Sequence, residues 1–458
     1  MRKLASVLIL VLSLFLNGTA QQDLTLYELR AAPQSHSLNP SKLPLCTGYL
    51  LLPGISGAYT SINSEGFTYA DAFQLNSDKT IDIKLNDAIE KMKDLNNISF
   101  DFKAPIFGVG FRMGAGFASF GIETKGSSRF TIPKTLAEFI WLGNADEKFL
   151  GKRANFDGLG IDLMQYTAIA FGYARDFNEK WTFGIKAKYL SGQAFLRTTK
   201  SSIGISTNSE NYAITLDGQL QIQSAGVAGL VIDSLLNFNG FNFSDIGNQL
   251  TNAGSGNHGG AIDLGATYRI NEKISFNASV IDLGFINWAA SAVTKTSKPA
   301  SYTYDGIAIT DIASGKDETE SIIGSLDTLF KSIEFDEKQE SFTTTLPIKI
   351  YAGGNYRILP KTDLSIITYN ELYNGRFKTS LRFGVTQRVR NFLMATLNYS
   401  VYGNSAANIG AGFTINAGPV QLYTVTDNVI AFMLPKKSKN FHLRIGINLT
   451  FGNNFSQN

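Results

Sequence analysis

One cysteine, three histidines and eleven prolines are few for a chain of 458 residues, and each scarcity closes a route. Cys46 stands alone, so there is no disulfide framework, and it reads as a small buried apolar side chain rather than a reactive thiol. His36, His258 and His442 show no ligand spacing, which argues against a metal site built from His and Cys. After residue 20 no apolar run is long enough to cross a bilayer as a helix, and the mean hydropathy is only −0.02. A helical membrane protein is excluded. Charge of one sign is also missing. Taking Arg2 and Lys3 from the 41 bases leaves 39 against 38 acids, which gives no reason to expect a nucleic-acid partner.

What is present is glycine (43), phenylalanine (33) and tyrosine (18), and a patterned amino terminus. "MRKLASVLILVLSLFLNGTA" joins two bases, an apolar run from Leu4 to Leu16 and the small residues Gly18 and Ala20. It reads as a secretory signal peptide cut after Ala20, too short for a spanning helix. No cysteine follows the cut, so a lipid-anchored amino terminus is not expected.

The carboxy-terminal stretch "FHLRIGINLTFG" alternates strictly. Phe441, Leu443, Ile445, Ile447, Leu449 and Phe451 share one face, with polar or glycine residues between them. Successive side chains of a strand point to opposite faces, so one wall is apolar and the other wet. "WTFGIKAKY" places Trp181, Phe183, Ile185, Ala187 and Tyr189 against Thr182, Lys186 and Lys188. "NYAITLDGQLQIQ" sets Tyr212, Ile214, Leu216, Leu220 and Ile222 against Asp217 and its polar neighbours. The same reading fits "IDLGATYRI", with Asp263 and Arg269 on the wet face, and "FKTSLRFGVTQRV", with Phe377 and Phe383 opposite Lys378, Arg382 and Arg388.

Further strands are expected near 48–60, 98–111, 115–124, 161–174, 274–284, 346–357, 362–370, 391–402, 407–416 and 418–426. Their length is nearer the 9–11 residues of a tilted membrane strand than the five or six common in sandwiches. With the signal peptide, this predicts an all-β fold, a closed antiparallel transmembrane β-barrel. Closure follows because lipid offers no partner to the backbone of an edge strand. Three connections, "YARDFNEKW", "YRINEKI" and "YRILPKTD", repeat a tyrosine, an arginine, a turn and a lysine. They suit short turns at a membrane interface.

Four segments break the rhythm. Helical spacing predicts a short amphipathic helix over 81–95, and short helices within 131–144, 229–241 and the acidic stretch around 320–333. Strand parity fails around 225–260, where a strand is missed or replaced by a plug.

The wet faces would bring Lys186, Lys188, Asp217, Asp263, Arg269, Arg382, Arg388 and Arg444 into the lumen. Such charges rigidify a barrel as readily as they select a solute. Trp181, Phe183, Phe383, Phe441, Ile445, Leu449 and Phe451 would face lipid. No nucleophile motif and no phosphate loop is visible. The glycine-rich "NAGSGNHGGAIDLG" lacks the Gly-Lys-Ser/Thr ending. No catalytic, cofactor or metal site is therefore expected.

"LNPSKLP", "LLPGISGAYTSINSEGFTYADAF", "LPIKIYAGGNY", "VTDNVI" and "NFHLRIGINLTFG" together resemble an uncharacterised, DUF5723-like family of Bacteroidota outer-membrane barrels. That family is similar in turn to the long-chain fatty-acid channel barrels and to barrel companions of the gliding and type nine secretion machinery. The resemblance implies about 14 strands (12 to 16), and lateral exit of a hydrophobic solute. It also implies an amino-terminal hatch over 21–47, with Asn39 and Pro40 matching the family's "NP". The expected organisation is signal peptide 1–20, arm or hatch 21–47 and barrel 48–458. Passive transport of a hydrophobic or amphipathic small molecule across the outer membrane is the leading expectation. The alternative is a scaffold or subunit of an envelope or secretion assembly. Partners would then be outer-membrane lipids and other envelope proteins, with 314–340 as an exposed docking surface.

Overall fold

The computed structural model describes residues 23–75, 81–83, 85–226, 256–298, 302–304, 333–402 and 405–453. The expected signal peptide, the helices expected at 229–241 and 320–333, and most of the 314–340 surface lie outside the described residues.

Fourteen antiparallel strands close into a barrel. Strand β1 comes in two pieces, Gly48–Leu51 and Ala58–Ser64. Then follow β2 (Leu95–Met113), β3 (Gly116–Pro133), β4 (Gly160–Asp176), β5 (Trp181–Thr207), β6 (His258–Arg269) and β7 (Ile274–Trp288). The second half is β8 (Ile348–Leu359), β9 (Thr362–Tyr373), β10 (Arg376–Val389), β11 (Leu393–Tyr402), β12 (Ser405–Ala417), β13 (Val420–Thr426) and β14 (Asn440–Phe451). Both pieces of β1 pair with β14, Gly48 opposite Phe451 and Ala58 opposite Ile445, so no edge is left open to lipid.

Alternation decides which way each strand faces. In β14, Ile445 is 51% exposed on the outside while its neighbour Arg444 is 2% exposed on the inside. Six short connections (114–115, 177–180, 270–273, 360–361, 390–392 and 418–419) fall at one end, together with the start of β1 and the end of β14. The three Tyr-Arg turns lie there, with Tyr173 and Tyr356 exposed on the outer face. Two of these turns share a device: Asn178 and Asn271 each accept the two backbone N–H groups that start the next strand. At the opposite end β9 and β10 meet through Asn374 and Gly375, both at positive φ (49° and 71°), the pattern of a tight hairpin.

Two expectations are corrected. Ile214–Gly226 is not a wall strand. It pairs with the distal half of β5, and Val293–Ser297 and Phe335–Gln339 continue the sheet beyond the barrel. Its apolar face packs on Phe139, Phe149, Phe156, Ile203 and Ile205, so Ile214, Leu216 and Leu220 meet polypeptide rather than lipid. Alternation alone cannot distinguish the two. Tyr212 sits before the strand at φ 59°. The helix expected over 81–95 is shorter, Leu85–Lys91, because Ile81–Ile83 pairs with Phe73–Leu75. The helix expected within 131–144 is Lys134–Leu142.

Candidate functional site: the filled lumen

Residues 23–46 lie inside the barrel. Leu24, Leu26, Tyr27 and Leu29 are fully buried, against Ile281, Tyr351, Ile367, Tyr369, Met394, Tyr423 and Val425 of the wall. Each such apolar side chain contributes about 1.5–3 kcal/mol on leaving water. Two 3-10 turns, Leu26–Glu28 and Pro33–Ser37, fold the segment on itself. Pro33 starts the second turn, where its missing N–H costs nothing.

Asp23 forms one latch. Its carboxylate accepts from Arg444 Nε and Nη2 (3.1 and 2.9 Å) and from Lys103 Nζ (3.0 Å), and His442 Nε2 lies 3.5 Å away. Burial alone would raise the Asp23 carboxyl. Arg444, Lys103 and His442 outweigh it and hold the group well below the usual carboxylate range. Asp427 accepts the backbone N–H groups of Leu24 and Thr25 (3.2 and 2.7 Å).

Tyr27 anchors the middle. Its ring stacks on Tyr351 at 4.9 Å, its hydroxyl donates to Asn277 Oδ1 (2.7 Å), and it accepts from Asn39 Nδ2 (2.9 Å). Asn39 also receives the Ser41 backbone N–H on Oδ1 (3.0 Å). Pro40 crosses β5 where Gly184 leaves room: a Cβ there would come within 2.3 Å of the Pro40 carbonyl. Gly265 on β6 does the same for Asn39. Cys46 is buried among Leu43, Tyr49 and Phe117, and burial pushes its thiol up to about 12.

The wall charges sort into groups. Lys188 bridges Asp263 and Asp282 (2.6 and 2.7 Å), and Asp282 also takes Lys349 (2.9 Å) and Lys125 (3.4 Å). Lys186 instead donates to the His36 carbonyl (3.1 Å). Arg382 reaches Ser365 and Thr396, each at 3.1 Å. Arg388 pairs with Asp363 (2.9 Å), and Arg269 with Asp176 (3.3 Å) near the short-turn rim. Asp217, expected in the lumen, stands on the outer sheet and pairs with Arg153 at 2.8 Å.

On the outer face Trp181, Phe183, Phe383, Ile445 and Phe451 are exposed. Leu449 is half-buried. Phe441 is also half-buried, its ring 5.0 Å from Phe432 in the loop helix Ile430–Met433. The reading of the sequence missed Asp23, Asp282 and Asp427. Asp282 sits at φ 60° where the β6–β7 register slips, so its inward direction breaks the period that would have revealed it.

The wall is interrupted at mid-height between β1 and β2. β1 pairs with β2 at Leu51–Gly108 and resumes at Tyr59–Lys103, leaving residues 104–107 without a β1 partner. The chain between, 52–57, loops out with Ile55 half-exposed. The loop is fastened by the Ser56 carbonyl, which accepts from Gln34 Nε2 (2.7 Å) and the Tyr423 hydroxyl (3.2 Å). Beside it the β2 register slips between Pro105 and Phe107, where proline offers no ladder N–H. A cavity of about 100 Å³ lies inside this break. Ser119, Gly121, Ala168 and Ala170 are too small to fill it, and Leu51, Pro105 and Phe107 line its side at the interruption. Pro33, Gln34 and Ser37 of the segment line it too, as do Lys188 and Asp263.

The family of unknown function DUF5723 matches residues 40–427, and the chain belongs to it. No curated protein sequence matches the chain. Its fold is similar to outer-membrane hydrocarbon channels. The toluene transporter TbuX of Ralstonia pickettii is 8% identical over 91% of this chain and 93% of its own, with a TM-score of 0.42. For the toluene transporter TodX of Pseudomonas putida the figures are 8%, 94%, 93% and 0.41. A Pseudomonas aeruginosa FadL homologue gives 9%, 95%, 99% and 0.39.

Proposed function

We propose that this chain is an outer-membrane conduit for the passive passage of a hydrophobic or amphipathic small molecule, with no catalytic centre. The short-turn end faces the periplasm and the long-loop end the exterior, as is usual for such barrels. Residues 23–47 act as a hatch that denies the lumen to water and ions. The observation that carries this reading is the cavity beside the β1–β2 interruption. It has charged groups at its inner side and Leu51 and Phe107 at its outer side, so an amphipathic solute could leave sideways into lipid with its polar end last. Local ladder loss is tolerated in a membrane only where other groups satisfy the backbone; here Gln34 and Tyr423 donate to the Ser56 carbonyl and the Ser56 hydroxyl to that of Ile447.

The test is uptake of a fluorescent amphipathic probe into proteoliposomes. Ala170→Trp, which fills the cavity from the inward face of β4, abolishes uptake while the barrel still folds. Unchanged uptake by a folded Ala170→Trp barrel would overturn the proposal.

A further inference from the structure

A second pocket, of about 90 Å³, opens at the short-turn rim on the far side of the segment. Six bases line it: Arg30 and Lys42 from the segment, and Arg269, Lys273, Arg357 and Arg388 from the wall. Among the described residues three acids line it beside them, Glu28, Glu272 and Asp363. Lys42 uses Glu28 (2.7 Å), and Arg357 and Arg388 share the one carboxylate of Asp363 (3.2 and 2.9 Å). Arg269 turns to Asp176 and Thr182.

Arg30 is left over. Among the described residues it has no ion-pair partner. Its Nη2 donates to the Leu43 carbonyl (3.0 Å), and its Nε is buried with no acceptor. A buried cation normally meets an anion or strong acceptors. Burial, with Arg269 nearby, outweighs the opposing Glu28 and brings the Arg30 guanidinium down to about 10. The polar side chains of Ser41, Thr267, Asn277 and Asn355 complete a lining suited to an oxyanion rather than to a hydrocarbon.

We infer that this rim pocket binds a small anionic group, a carboxylate or a phosphate, with Arg30 as its central ligand. A planar guanidinium can grip either group through two parallel N–H donors. The site stands apart from the cavity at the wall interruption, so it does not depend on the transport proposal.

Titration calorimetry on the detergent-purified barrel tests it with hexanoate, inorganic phosphate and hexanol. Hexanoate or phosphate binds at least tenfold more tightly than hexanol. Arg30→Ala weakens that binding at least tenfold, Arg30→Lys recovers part of it, and Lys273→Gln at the rim weakens it about threefold. Native mass spectrometry of barrels from nanodiscs holding phosphatidylglycerol in phosphatidylcholine separates a lipid source from a free one. Retention of phosphatidylglycerol lost in Arg30→Ala assigns the anion to a headgroup and also supports the site. Equal binding of hexanol and hexanoate, or anion binding that Arg30→Ala leaves intact in a folded barrel, overturns it. Absence of binding by every anionic probe does so too.

Discussion

Replacing Asp23 by alanine isolates the latch that holds the amino-terminal segment in the lumen. In the docked state the Asp23 carboxylate meets Arg444 twice, at 3.1 and 2.9 Å, and Lys103 at 3.0 Å. Alanine leaves Arg444, only 2% exposed, and Lys103 inside the barrel without their counter-ion. Removing one partner of a buried ion pair costs about 3–5 kcal/mol. The two cations regain water when the segment leaves, so the loss falls on docking. At about 1.4 kcal/mol per tenfold, opening of the segment should rise roughly a hundred- to four-thousand-fold. Hydrogen exchange of the backbone amides of residues 24–38 in lipid nanodiscs reads this directly. The pH dependence has a defined sign. A carboxyl held below its usual value contributes fully above the undocked value near 4 and loses that contribution as pH falls through the docked one. Protection from this source is therefore flat from pH 5 to 8. Exchange in Asp23→Ala within threefold of the parent would refute the reasoning.

Three other changes probe different parts of the barrel. Asp282→Asn keeps a residue that tolerates positive φ but strands Lys349 and leaves Lys188 with Asp263 alone and Lys125 with Glu123 alone; thermal unfolding in detergent should show a loss of about 3–5 kcal/mol. Ile445→Arg puts a charge into the outer belt and should cost about 2–4 kcal/mol when unfolding is measured in lipid, whereas a barrel wrapped in protein would show no dependence on the lipid. Gly184→Ala drives a methyl to within 2.3 Å of the Pro40 carbonyl. It should raise exchange of the segment by an amount matching about 1–3 kcal/mol, with the wall strands unaffected.

The barrel was legible because its signal is redundant. Strands such as β5, β10 and β14 repeat an apolar and a wet face, and no other element competes. The limits are equally physical. Period two says that Ile214, Leu216 and Leu220 are buried on one side, but it does not say by what, and here the cover is Phe139, Phe149 and Phe156. The reading of 48–60 as one strand missed the looped-out 52–57, although Pro53 and Gly54 stand there, because the pieces on either side of the loop still read as strand. Inward charges such as Lys186 and Arg444 could be named from alternation, yet their partners could not. His36 and Asp23 are over a hundred residues distant, and only closure of the barrel around the segment brings them together.

Cysteine cross-linking at Ser41 and Thr267 tests most directly that the segment fills the lumen. The two hydroxyls are 2.8 Å apart, one on the segment and one on the inner face of β6. With both residues changed to cysteine, mild oxidation of the barrel in lipid should form the disulfide nearly completely, and neither thiol should react with a bulky water-soluble maleimide beforehand. Rapid maleimide labelling at position 41, with no disulfide to position 267, would contradict it.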